Sequence, residues 1–339
     1  MGRDRRRADR PRRPDDRPGL GRDGAPRARR QPLNARAAGL LLGYAADRLL
    51  ADPRRGHPVA GFGQVAAALE RRVWRDDRTT GALYAGALVG GAVVLGVGAE
   101  RALPRTLATA VAAWAVLGGT SLDREAAAVS RLLATDSLPA ARVRLTHLVG
   151  RDTRRLDEAE VVRATLESLA ENTSDAVVAP LVWGAAAGVP GLLGYRAANT
   201  LDAMVGHHSA RHERFGWAAA RLDDLLNLPG SRLTAALATL LGPDPRGAWR
   251  SWRRDAAGHP SPNAGPVEAA FAGALGTRLG GTNDYGGRIE HRAVMGDGPP
   301  PDRADLDRAR TLARRIGAAA ALVAAAVALL PPSYRTERS

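Results

Sequence analysis

The sequence predicts an all-α fold: a polytopic helical membrane protein with polar helical segments and one broken or hairpin membrane segment. Three observations carry this. Residues 79–99, 106–122 and 316–334 are uncharged, each close to the roughly 20 apolar residues a helix needs to cross a hydrocarbon core. The apolar residues, 45% of the chain with aromatics only 4%, are mostly Ala, Leu, Val and Gly. Such small side chains suit close helix packing in lipid, where van der Waals fit replaces the hydrophobic drive between helices. The polar stretches between keep helical periodicity and show no alternating strand pattern. A mean hydropathy of −0.22 reads as soluble only because Arg-rich tails and loops dilute the apolar segments.

Taken in order, residues 1–36 hold 13 Arg against 5 Asp, which accounts for +8 of the chain's net +14. This Pro/Arg/Asp-rich tail is predicted to be disordered and solvated, so the high basic charge does not indicate a nucleic-acid partner. Residues 37–335 read as one integral-membrane helical domain, without repeat or internal linker. Residues 37–50 contain Asp47 and Arg48 and leave open a buried, half-inserted or spanning helix. Residues 79–99 and 106–122, joined by the short link Glu100–Arg105 with Pro104, read as a transmembrane hairpin. Residues 176–195 are long enough to span, but Pro180 and the run Gly188-Val189-Pro190-Gly191 interrupt the helix, a pattern tolerated at membrane depth where it lines a site. Residues 233–243 are too short to span, whereas 316–334, preceded by Arg314 and Arg315, form the last span.

Arg favours the cytoplasmic side. Segments 1–36, 51–78, 123–175 and 196–315 all carry Arg, so all are expected there. That requires 37–50 not to cross and 176–195 to double back near Gly188–Gly191.

Two absences narrow the chemistry. With no Cys, thiolate nucleophiles, Fe–S clusters and Cys-ligated zinc are excluded. Every basic side chain other than His is Arg, which removes a P-loop lysine and a Schiff-base lysine.

Three polar clusters remain. In residues 151–175, Asp157 with Glu160 reads as a capping box that starts a helix, and Glu160, Glu167, Glu171 and Asp175 fall near one face of it. The second cluster pairs Asn199 with Asp202 at i, i+3 and Asp223 with Asn227 at i, i+4, beside Asp224, Arg221 and Arg232. Carboxylate and amide oxygens so spaced suit Mg²⁺ that also holds phosphate, with Arg neutralising the phosphate. His207, His208 and His212 have metal-like spacing but no evident third ligand. In the third cluster, residues 259–287, two turn-rich stretches bracket a predicted helix 267–279, whose N-terminal amides would suit an anion. On spacing alone a wet helix face, capping with surface ion pairs, and a plain loop remain alternative readings of the three clusters. The early stretch 47–64 adds Asp47, Asp52 and His57.

In order, these residues resemble the adenosylcobinamide-phosphate synthase family, the CobD/CbiB type of cobalamin biosynthesis. The likeness rests on Asp47 with His57-Pro58-Val59, Arg151-Asp152-Thr153, Glu167-Ser168-Leu169-Ala170-Glu171-Asn172, Asn199-Thr200-Leu201-Asp202-Ala203-Met204, Phe215-Gly216-Trp217, Asp223-Asp224 with Asn227 and Pro229, Ser261-Pro262-Asn263-Ala264-Gly265, and Gly280-Gly281 before Tyr285-Gly286-Gly287. It covers about residues 37–330. His207-His208 stand where the family more often has Tyr and Lys or Asn, which further disfavours a histidine metal site.

The resemblance implies an integral-membrane ligase that uses ATP and Mg²⁺ to join a propionate of the corrinoid adenosylcobyric acid to aminopropanol phosphate or a related amino-alcohol phosphate. The residues suit such chemistry without Cys or Lys, because carboxylate activation by ATP needs Mg²⁺ and Arg around phosphates rather than a protein nucleophile. Glu167 or Glu171 is expected to take the amine's proton, with Asp223 a further catalytic candidate. Arg151, Asp152, Arg221, Arg232, His57, Asn263, Gly265, Asn283 and Tyr285 are the expected substrate and phosphate contacts. Asp223, Asp224 and Asn227 are the expected Mg²⁺ ligands, with Asn172, Asp175, Asn199 and Asp202 nearby or alternative. The bilayer is a partner, and a second copy or later enzymes of the pathway are further expected ones. The expected location is the cell membrane, multi-pass, with the site facing the cytoplasm. A membrane phosphotransferase and a transporter are the competing classes. The first lacks support because no compact Asp-rich repeat occupies one helix, and the second because so much polar chain carries the motifs.

Overall fold

The structure, a computed structural model, describes residues 34–51, 56–207, 209–285 and 288–330, and only the backbone at 34, 283–285 and 288–291. The Arg-rich tail up to residue 33, Asp52 and His208 therefore lie outside the described residues, as do the side chains of Asn283 and Tyr285.

Among the described residues, three helical runs are long and apolar enough to cross a membrane: α3 (Arg78–Ala102), the run Glu158–Gly206, and α12 (Arg303–Leu329). Helix α3 has few buried residues, among them Gly81, Tyr84, Ala85 and Gly96, while Leu83, Val94 and Leu95 are exposed. Leu107 and Val111 of α4 (Arg105–Val116) and Leu322, Val323 and Val327 of α12 are exposed as well. So much bare Leu and Val is costly in water and natural against lipid.

The run Glu158–Gly206 contains α7 (Glu158–Thr173), a π-helical turn at Ser174–Val178, α8 (Ala179–Leu201) and a second π turn at Asp202–Gly206. Its start is fixed by the predicted capping box, Asp157 and Glu160 each accepting the other's backbone N–H. At Gly188 the backbone leaves the helix, with φ 68° and ψ −147°, a region essentially closed to residues with a Cβ. The chain then reverses: Gly191 packs on the Trp183 carbonyl, and Tyr195 Oη comes within 2.9 Å of the carbonyl of Asp175. The predicted broken hairpin near Gly188–Gly191 is thus what the chain forms. Its tip is tied down by two charged side chains. Glu100 Oε1 accepts the Val189 N–H at 3.0 Å, and Arg36 Nη1 donates to the Ala185 carbonyl at 3.1 Å. Gly96 of α3 packs directly on Pro190.

Helix α1 (Asn34–Leu50) is shorter than the three candidate spans and packs along α4. Gly39 sits against Thr106 and Thr109, and Gly43 against Ala110 and Ala113, so α1 runs parallel to α4 along its length. Its N-terminal Arg36 lies at the hairpin tip with Glu100. Its C-terminal end meets the α4–α5 junction, where Trp114 Nε1 donates to the Ala51 carbonyl at 3.0 Å. The two ends of α1 therefore lie at opposite ends of the α3–α4 hairpin. The charges that argued against a span lie near the end of the helix: Asp47 is buried and accepts the Thr120 N–H at 3.2 Å, at the start of α5 (Gly119–Ala134).

Below the membrane helices lies a polar body with α2 (Pro58–Val73), α6 (Leu138–Leu145), α9 (Trp217–Leu241), α10 (Pro245–Asp255) and α11 (Ala264–Leu275). Residues 233–243 fall mostly in the second half of α9. All twelve residues of α11 are buried, and it ends at Gly276, φ 68°, a left-handed C-terminal cap. The helix thus begins three residues earlier and ends four earlier than predicted. The all-α fold holds, with one small exception just beyond this helix, where β1 (Leu279–Tyr285) and β2 (Arg288–Met295) form an antiparallel hairpin with Gly281 opposite Arg292. Gly280 and Gly281 take φ 83° and 93° next to an irregular step in the register, and this glycine pair hides the alternation that marks a strand.

A Cβ at Gly188 would overlap Glu100 Oε1 and force a strained φ. Gly188→Ala is expected to lower stability by about 1–3 kcal/mol, read as a reduced thermal midpoint in detergent; an unchanged midpoint would show that the tip geometry is not needed.

Candidate functional site

Two polar clusters lie along the hairpin, away from its tip. The first joins α8 to α9. Tyr195 Oη is 2.6 Å from Asn227 Oδ1, and Asn227 Nδ2 donates to Asp223 Oδ2 at 2.9 Å. Asn199 Nδ2 donates to the other Asp223 oxygen at 3.2 Å, and Arg196 Nη1 donates to Asn199 Oδ1 at 3.3 Å. Asp223 is buried, and burial pushes its carboxyl up to about 6; the two amide donors oppose the shift, while Asp224 and Glu171 add to it. Asp175 and Asp202 each sit in one of the two π turns, irregularities common at functional sites.

The predicted ligands meet the structure unevenly. Asp175, Asn199, Asp202, Asp223 and Asn227 are brought together. The oxygen of Asn227 faces Tyr195 and its nitrogen faces Asp223, so as placed it supports its neighbours rather than an ion. Asn172 turns back on its own helix, Nδ2 donating to the Ser168 carbonyl at 2.9 Å. Among the described residues no three His, Asp or Glu side chains converge to enclose a metal. The donor chemistry still suits Mg²⁺, which is commonly held through one or two protein carboxylates plus substrate phosphates.

The second cluster lines a cavity of about 220 Å³ between α7, α11 and β2. Arg151 Nη2 donates to Glu167 Oε2 at 2.7 Å, both side chains buried. The other Glu167 oxygen accepts the Gly280 N–H at 2.9 Å. Arg163 holds the same strand, donating to the carbonyls of Gly280 and Thr282. Glu167 thus ties α7 to the β-hairpin and to Arg151, while Glu171, one turn on, lines the cavity.

Sequence reading missed Glu268 and Arg292, which face the same cavity. Glu268 is fully buried on α11, and neither carboxylate oxygen has a hydrogen-bond partner. His259 Nε2 stands 3.8 Å away. Burial, with Glu167 and Glu171 close by, drives the Glu268 carboxyl well above the usual range. Its place inside the apolar run Pro266-Val267-Glu268-Ala269-Ala270-Phe271 was the available signal, since a carboxylate so flanked is rarely buried without a task.

The remaining predicted contacts are structural or peripheral. Asp152 pairs with Arg154 in its own loop, where that guanidinium holds its carboxyl down at about 2. His57 caps α2 by accepting the Val59 N–H. Asn263 clamps α9 to α11, accepting from Arg232 Nη1 at 2.8 Å and donating to the Asp224 carbonyl at 2.8 Å. Arg232 is drawn into that clamp. The anion site expected at the start of α11 is already filled: Ser261 Oγ accepts the N–H groups of Asn263 and Ala264, and Gly265 is packed on the Ala256 carbonyl. Arg221 stays largely exposed, 3.9 Å from Asp224. His212 pairs with Glu70 at 3.1 Å and stacks edge-on with His207.

Fold and site together define a polytopic helical membrane protein whose buried acids and arginines gather along a re-entrant hairpin. A family model described as CobD/Cbib protein matches residues 40–313, and the chain belongs to that family. It is similar to the cobalamin biosynthesis protein CobD of Mycobacterium tuberculosis, 53% identical over 296 residues covering 85% of this chain and 95% of that protein. The protein of the same name from Rhodobacter capsulatus is 44% identical over 82% of this chain and 91% of its own. That from Chromobacterium violaceum is 46% identical over 79% and 89%. No solved structure matches.

The raised Asp223 carboxyl has a definite sign. Folding favours its protonated form, so the stability it contributes is fully present below about pH 4 and is lost as pH rises through about 6, by up to about 3 kcal/mol. In Asp223→Asn the fall in thermal midpoint between about pH 4 and about pH 7 is expected to shrink accordingly. An unchanged fall would mean that Asp223 does not titrate there.

Proposed function

We propose that the chain acts in cobalamin biosynthesis as adenosylcobinamide-phosphate synthase, forming an amide between a propionate of adenosylcobyric acid and an amino-alcohol phosphate with ATP and Mg²⁺. The observation that carries the reading is the adjacency, along one helical hairpin, of clustered Asp and Asn oxygens and a cavity of buried Arg and Glu. The family and the names of the relatives support it.

The reaction balances as two transfers. The propionate oxygen attacks the γ-phosphorus of ATP, the Pβ–O–Pγ bridge breaks, and ADP leaves an acyl phosphate. The amine nitrogen then bonds to the acyl carbon, the C–O bond to phosphate breaks, and phosphate departs. The ammonium must lose two protons overall, one of which ends on phosphate at neutral pH. Asp175, Asp202 and Asp223 would offer the carboxylates for Mg²⁺, which supplies charge neutralisation on the transferring phosphoryl group. Arg221 stands exposed beside Asp224 to meet phosphate. Because both oxygens of Glu167 are engaged, Glu171 is the residue placed to take the amine's proton. The charged substrates are made inside the cell, so the site is read as facing the cytoplasm.

Purified protein in detergent, given adenosylcobyric acid, ATP, Mg²⁺ and aminopropanol phosphate, is expected to yield the amide by mass spectrometry. Product without a sealed vesicle excludes pure transport, and dependence on ATP rather than a CDP-linked donor excludes phosphotransfer. Glu171→Gln is expected to lose about 100-fold or more in rate, with Glu167→Gln losing stability as well. No amide from the unaltered protein with any amino-alcohol phosphate would overturn the reading.

A further inference from the structure

The cavity between α7, α11 and β2 is charged in an unusual way. Arg151 and Arg292 face it with Glu167, Glu171 and Glu268, and the two Glu268 oxygens are buried with no hydrogen bond. A carboxylate left so has lost its water without compensation, and its position in the wall of a cavity means that a ligand can supply what the protein does not. That ligand needs a donor, preferably cationic, to face Glu268. It also needs an acceptor to face the guanidinium side of the cavity, since Arg is suited to bidentate contact with phosphate oxygens. Size narrows the choice further. At about 220 Å³ the space falls below the roughly 300–1,000 Å³ of pockets for drug-sized ligands. A corrin ring does not enter, whereas a short-chain phosphate ester does.

We propose that this cavity is the seat of the small zwitterionic substrate, with its phosphate on the Arg151–Arg292 side and its ammonium against Glu268 and Glu171. This rests on the ligase reading for the identity of the zwitterion, an amino-alcohol phosphate. Under it Glu268 is a specificity residue that demands an amine, and Glu171, half-buried on the same wall, is the acceptor of the proton that amine gives up. Discrimination comes from both ends of the molecule. An alcohol phosphate without nitrogen offers Glu268 no donor, and an amino alcohol without phosphate offers the two arginines no phosphate oxygens.

The test is calorimetric titration of the full chain in detergent with 1-amino-2-propanol phosphate, with propanol phosphate, with 1-amino-2-propanol and with ATP. The unaltered chain is expected to prefer the amino ester. Glu268→Gln, which keeps the volume and removes the carboxyl group, is expected to keep its thermal midpoint. It should bind the amino ester about 30-fold or more weakly while its affinity for propanol phosphate and ATP stays within about twofold. Arg292→Ala should weaken both phosphate esters. Equal binding of the amino ester by Glu268→Gln, or equal binding of propanol phosphate and amino ester by the unaltered chain, overturns the proposal. So does a loss confined to ATP, which would make the cavity the nucleotide's. Amide formation with unchanged amino-ester binding in Glu268→Gln sinks the subsite and leaves the ligase reading standing. Selective amino-ester binding without any amide does the reverse.

Discussion

A helix that reverses inside a hydrocarbon layer strips several backbone groups of their partners where no water can replace them, and the rest of this structure depends on how the reversal at Gly188 is answered. The Val189 N–H goes to Glu100, and carbonyls just before the break go to Arg36. Both are charged, so these hydrogen bonds are stronger than neutral ones. Because the tip is held, the second arm returns beside the first. Asp175 and Tyr195, twenty residues apart in sequence, then stand next to Asn199, Asp223 and Asn227.

Close approach is the other requirement, and glycine meets it at several helix contacts. Gly96 lies on Pro190, Gly81 on Phe215 and Gly230 on Ala179. The Gly39-Leu40-Leu41-Leu42-Gly43 spacing lets α1 run against α4, the small-xxx-small packing that replaces hydrophobic drive in lipid. These seams hold the wall against which the acids are arranged. In the polar body the equivalent role falls to charge. The buried Arg151–Glu167 pair, joined by Arg163 and the Gly280 N–H, fastens the β-hairpin to α7 and closes one side of the cavity.

Much of this was legible because it is local. The capping box at Asp157, the interruption at Gly188–Gly191 and the uncharged stretch 79–99 are all properties of neighbouring residues, and each appears where the sequence places it; the expected span 106–122 instead breaks at Leu117–Gly118, leaving α4 only twelve residues long. Position-by-position roles were less legible. Spacing by four puts Glu167, Glu171 and Asp175 on one face, but the π turn at 174–178 shifts the register, so Asp175 joins the α9 cluster while Glu167 and Glu171 serve the cavity. The role of Asp47 was not legible, because its contact with Thr120 at the start of a distant helix cannot be read from the segment itself. Arg292 was hidden in a strand whose alternation is weak, and Glu268 in an apolar run with no charged neighbour at helical spacing.

Glu268 is also where the fold and the site pull in opposite directions. Replacing it with an apolar residue would break no hydrogen bond, losing only the 3.8 Å approach of His259, and would remove a buried ionisable group. Arg151 is different, because removing it strands the buried Glu167 carboxylate. A chain shaped by stability alone would keep the second and discard the first. Keeping Glu268 in a wholly buried helix is the kind of local cost that folds accept at sites of function.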